Sequence, residues 1–107
     1  MPFETLVVAQ QLIPVVKPLI DRIRVRDADL ARQMQRAAAS IALNAAEGRR
    51  RFGGDRRHLF RVALGSAAEL GAALEVAVGF GYVAVADAAE AAALADRLRG
   101  LLYPQAL

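Results

Sequence analysis

Residues Ser40–Leu70 read SIALNAAEGRRRFGGDRRHLFRVALGSAAEL, two stretches of small and apolar residues at helical spacing joined by a turn loaded with arginine. Before the turn, Leu30, Met34, Ala37, Ile41 and Asn44 recur at steps of four and three, the signature of one helix face. Asn44 therefore falls on the apolar stripe. Gly48 is expected to end that helix. Gly53 and Gly54 permit positive φ in the turn, and Asp55 is placed to cap the following helix. Leu59, Phe60, Val62, Ala63, Ser66, Leu70, Ala73, Leu74 and Ala77 then carry the pattern to about Phe80. Gly65 and Gly71 are expected to thin this helix for close backbone approach, since each otherwise costs about 1 kcal/mol relative to alanine.

The same periodicity extends outward in both directions. A first helix is predicted over about Glu4–Ile23, with Leu6, Ile13, Leu19, Ile20 and Ile23 among its apolar contacts. Pro14 and Pro18 each remove an amide donor and crowd the carbonyl four residues back, so a kink or a division into two pieces is expected. The linker around Val25–Ala28 ends at Asp27 or Asp29, either of which can cap the second helix. Beyond Gly79, Gly81 and Tyr82, Asp87 is expected to cap a last helix over about Ala88–Leu102, edged by Leu94, Leu98, Leu101 and Leu102 and stopped by Pro104. No stretch shows the sustained alternation of a strand. Short connections between long helices predict an all-α, up-down-up-down four-helix bundle, with residues 1–107 as one domain.

The apolar fraction is 56%, yet aromatics contribute only 6%. Alanine supplies much of the remainder, which favours close helix packing over a thick interior. The absence of cysteine excludes a disulfide framework and a thiolate metal site. No secretory pattern opens the chain, and a cytoplasmic location is the expectation. The apolar window Leu12–Ile20 is broken by Pro14, Lys17 and Pro18 and falls short of the roughly 20 residues a bilayer span needs, so no membrane span is expected.

The net charge of +3 conceals an asymmetry. Residues 22–61 hold eleven arginines against Asp27, Asp29, Glu47 and Asp55, or +7, whereas residues 62–107 sum to −3. Positive potential is concentrated on the middle of the chain.

The motif Ser40-Ile41-x-x-Asn44-x-Ala46-Glu47-Gly48-x-x-Arg51, followed by Phe60-x-x-Ala63-Leu64-Gly65-Ser66-x-x-Glu69-Leu70, resembles the bacterial four-helix-bundle proteins encoded by 23S ribosomal RNA intervening sequences, also called S23 proteins. The resemblance covers about Leu30–Tyr82. Their fold is shared with the accessory variability determinant of diversity-generating retroelements, a homopentameric barrel that binds nucleic acid and a reverse transcriptase. The resemblance implies a cytosolic homo-oligomer, a ring of five bundles around a channel, with an RNA role. The short first connector and the two prolines of the first helix depart from the family pattern.

Four polar residues, Asn44, Glu47, Ser66 and Glu69, sit where a packed bundle tolerates few. Asn44 is expected to bond across the bundle to Ser66 or to backbone carbonyls, fixing register as a lone polar core residue does in coiled coils. Glu47 and Glu69 are expected to pair with arginines such as Arg51 or Arg36. They do not make a di-metal centre, which needs further carboxylates and a Glu-x-x-His spacing. His58 lacks a second histidine or a cysteine, so neither metal nor cofactor is expected. Ser40 and Ser66 lack a histidine partner, Gly48–Gly54 lacks the Gly-Lys-Ser/Thr ending of a phosphate loop, and no enzymatic activity is expected.

Arg49, Arg50, Arg51, Arg56, Arg57 and Arg61 are the candidate nucleic-acid contacts, because guanidinium forks suit phosphate. Only Phe52 and Phe60 interleave them, which points to backbone-directed binding of RNA or DNA. Two alternatives stand beside this: a solvated bundle end, in a chain using thirteen arginines and one lysine, and a protein–protein adaptor whose arginines meet acidic residues of another subunit or protein.

Overall fold

The amphipathic periodicity becomes four helices in the computed structural model, which describes residues 3–107. They are α1 (Glu4–Arg26), α2 (Ala28–Arg49), α3 (Gly53–Gly79) and α4 (Val85–Ala106). Each packs antiparallel against its chain neighbours, and α1 also meets α4, so the four close a square around one core. The long axis is 42 Å, set by helices of 22 to 27 residues rising about 1.5 Å per residue.

Almost half of the buried apolar residues are alanines, among them Ala37, Ala45, Ala63, Ala67, Ala91 and Ala95. Larger side chains fill what remains: Leu12 and Ile23 from α1, Met34 and Ile41 from α2, Phe60, Leu70 and Leu74 from α3, and Leu98 and Leu102 from α4. In α1 the buried set is Thr5, Val8, Ala9, Leu12, Val16, Leu19, Ile20 and Ile23. Ile13, expected among the contacts, faces outward at 38% exposure.

Several helix ends depart from the sequence prediction for local reasons. Pro14 and Pro18 neither divide nor end α1, which runs unbroken through both. The prolines are exposed, as are Gln10 and Pro14, whose carbonyls lose their amide partners, so water can satisfy them. The first connector is the single residue Asp27, whose Oδ1 accepts from the Leu30 amide at 3.0 Å. Asp29 pairs instead with Arg32.

Gly48 is not a stop. It lies buried inside α2, where a Cβ would sit 3.3 Å from the Phe60 ring. Gly53 does take positive φ, at +57°, but Asp55 is not the cap of α3: that position belongs to Phe52, which makes no side-chain cap bond. Gly65 and Gly71 have open space where a Cβ would stand, so within the chain they admit no close backbone approach. Asp87 lies inside the first turn of α4 and reaches back to the Ala84 amide at 3.4 Å. Pro104 sits in the last turn without stopping the helix, which continues to Ala106.

The connectors α1–α2 and α3–α4 meet at one end of the bundle. Asp27 Oδ2 accepts a hydrogen bond from the Tyr82 hydroxyl at 3.2 Å. Phe80 stacks on Tyr82 with centroids 5.5 Å apart, and the Arg26 guanidinium lies 5.5 Å from the Tyr82 ring. Partial burial, then the bond to Asp27 and its charge, raise the Tyr82 pKa above the ordinary 10.0, with Arg26 opposing.

Candidate nucleic-acid interface

At the opposite end, the C-terminus of α2, the N-terminus of α3, the start of α1 and the end of α4 come together. Arg50–Phe52 is the exposed connector.

The six candidate arginines divide into two groups. Three are engaged. Arg51 donates from Nε to Glu47 Oε1 at 2.9 Å and lies 3.9 Å from Asp55. Arg56 donates to the Arg49 carbonyl at 3.2 Å, satisfying one of the free carbonyls at the end of α2, and lies 5.1 Å from the centre of the Phe60 ring. Arg49 lies over the Phe3 ring at 5.4 Å. Phe3 and Phe60 themselves meet with centroids 6.0 Å apart, so guanidiniums cover both rings of one aromatic pair.

Arg50, Arg57 and Arg61 are the other group. All three are exposed, and none has an acidic partner among the described residues. Phe52 is 89% exposed in the midst of them, whereas Phe60 is fully buried and unavailable to a base.

The family model for the 23S rRNA-intervening sequence protein matches residues 7–104. The chain belongs to that family. Its fold is also that of the crystal structure of a protein of unknown function from the S23 ribosomal protein family of Bacteroides thetaiotaomicron. The TM-score is 0.84 over 95% of this chain and 97% of that one, at 17% identity. No protein of curated function matches the chain.

In this member of the family, the polar motif residues do not form one site. Asn44 does not bond across the bundle. Its Nδ2 donates to the Ser40 carbonyl and hydroxyl of its own helix at 2.9 and 3.0 Å. The link to α3 is made by Ser66, whose hydroxyl donates to Ser40 Oγ at 2.7 Å. None of the three ionises near neutral pH, so the network has no general base and serves to register α2 against α3. Glu47 pairs with Arg51 as expected, whereas Glu69 is exposed with no basic partner among the described residues. Those residues also hold no cluster of three or more histidine or acidic side chains placed for a metal.

Two basic-end residues escaped the sequence reading. Arg99 and Tyr103 of α4 line a groove with Arg61, Gly65 and Ala68 of α3, and Asp96 lies farther along it. They are spaced one helical turn apart on α4, but nothing local in the sequence ties them to Arg61. Antiparallel packing of α3 on α4 does.

Helix α3 is long and, with a mean hydropathy of 1.4 over its most apolar window, apolar enough to cross a membrane by length and composition alone, a test that the core helices of bundles also pass; 33% of that window is buried in the bundle. Its outward face carries Val62 and Val76, 36% and 43% exposed.

Proposed function

We propose that this family member is a non-enzymatic, cytoplasmic, self-associating bundle that binds RNA through its basic end. The observation that carries the proposal is the set of exposed, acid-free guanidiniums of Arg50, Arg57 and Arg61 around the exposed Phe52. Three exposed cations on the connector and the first turns of α3 suit phosphates, and the aromatic ring offers a stacking surface to a base. Arg49, Arg51 and Arg56 contribute charge, but their partners at home fix their geometry and dilute their pull on a ligand.

The test is RNA binding by fluorescence anisotropy across a salt series. Each phosphate contact contributes roughly 0.7–0.9 to the slope of log K against log salt. The triple substitution Arg50→Ala, Arg57→Ala, Arg61→Ala is therefore expected to lower the slope by about 2 to 3. An unchanged slope rejects the assignment.

The apolar outward face of α3 supports self-association. Val62 and Val76, with Glu69, which has no basic partner among the described residues, present a surface for a second copy. A ring of five is the assembly the family resemblance implies. The same face favours a second reading, a protein–protein adaptor with no nucleic-acid ligand. Light scattering separates the two: Glu69→Arg dissociates an assembly built on this face, whereas the arginine substitutions leave it intact and weaken RNA binding only.

A further inference from the structure

We infer that the groove between α3 and α4 beside the basic end seats one unpaired nucleotide of single-stranded RNA, with the base on the Tyr103 ring and a phosphate held between Arg61 and Arg99. The inference rests on the RNA-binding reading and specifies its ligand.

The groove has the parts such a seat needs. Tyr103 is 60% exposed on its wall, and an aromatic ring with a free face stacks any base. Arg61 has no acidic partner among the described residues, and Arg99 meets only Asp96, at 3.8 Å and largely exposed, a contact that solvent screens. Gly65 and Gly100 both line the groove, and a Cβ on either would meet nothing within 4 Å, so the floor lies low between the two walls. The groove is open to solvent, with about 750 Å³ of space along it.

Charge sets the direction and the extent of the ligand. Arg57 stands one helical turn before Arg61 on α3, leading back to the Arg50–Phe52 connector. In the other direction the groove continues past Asp96 to Glu75, where carboxylates repel a phosphate chain. A strand entering from the basic end therefore has room for a nucleotide at Tyr103 and is stopped soon after. A duplex cannot use the seat, since its bases are already stacked and paired.

The experiment compares a short labelled oligoadenylate with a blunt RNA duplex, for the full chain and its variants. Tyr103→Ala is expected to weaken oligoadenylate binding about tenfold or more, leave duplex binding within about twofold, and leave the salt slope unchanged. Tyr103→Phe keeps the affinity, because the ring face acts rather than the hydroxyl. Arg99→Ala lowers the single-strand slope by about 0.7. Gly65→Leu, which fills the floor without altering charge, reproduces the loss seen with Tyr103→Ala. Thermal melts of every variant confirm an intact bundle.

If Tyr103→Ala and Arg99→Ala bind oligoadenylate as the parent does while the Arg50, Arg57 and Arg61 substitutions still reduce binding, the groove is not the seat and the basic-end reading survives. Equal losses on oligoadenylate and duplex overturn the single-strand assignment. If the parent protein binds neither probe, both proposals fall together.

Discussion

Gly48 and Phe60 provide a quantitative test of how tightly α2 and α3 are joined beneath the arginine turn. Gly48 lies inside α2, so replacing it with alanine gains about 1 kcal/mol of helix propensity. The added Cβ, however, would stand 3.3 and 3.4 Å from two atoms of the Phe60 ring and 3.4 Å from Leu59 Cβ. That ring is fully buried between Phe3 and the Arg56 guanidinium, which restricts its retreat. Overpacking of this kind costs roughly 1–3 kcal/mol. Gly48→Ala should therefore be neutral to destabilising by about 2 kcal/mol in the parent protein. Phe60→Leu removes both ring contacts and leaves only Leu59, so in that background Gly48→Ala should become stabilising by up to about 1 kcal/mol. The cycle predicts a coupling of about 1–3 kcal/mol, read as the shift in urea midpoint of the four proteins at constant m. A coupling below about 0.3 kcal/mol, the ordinary scatter of independent sites, would refute the claim that the glycine exists to admit the ring.

Two further perturbations address the other ties between helices. Ser40→Ala should cost about 1–2 kcal/mol, more than Ser66→Ala, because Ser40 Oγ accepts from both Ser66 and Asn44 and its loss strands two part-buried donors; equal costs in urea unfolding would contradict that order. At the opposite end, the raised Tyr82 pKa means that the phenol proton is held more tightly in the folded state. Its contribution is fully present below the free tyrosine value of 10.0 and is lost as pH rises through the higher folded value. Tyr82→Phe should remove this part of the alkaline dependence of stability, and an alkaline profile identical to that of the parent would show that the Asp27 bond is not responsible.

The helices and most of the core were legible from the chain because helical periodicity is a local property. The stripe Leu30, Met34, Ala37, Ile41 is buried as its spacing predicts, and Ser40–Leu70 lies within residues 7–104, which the family model matches. Caps and stops were less legible. Gly48, Asp55 and Pro104 have the chemistry of helix ends, yet the helices pass through or begin before them. An exposed carbonyl four residues before a proline can turn to water, and a glycine inside a helix can serve a neighbouring ring instead of a turn. Val62, Gly65 and Gly71 show the same limit for packing, since a helix pattern marks a face without saying what lies opposite it.

By itself, the sequence determined the four amphipathic helices, the alanine-rich character of their packing and the concentration of arginine at one connector. Only the tertiary structure decided which of those arginines remain free. Phe3 is far from Arg49 along the chain, as Ser40 is from Ser66 and as Arg61 is from Arg99 and Tyr103. Charge and periodicity are inherited from neighbours in sequence, whereas ion pairing, ring stacking and groove lining fall off within a few ångströms through space, and antiparallel packing alone brings those residues that close.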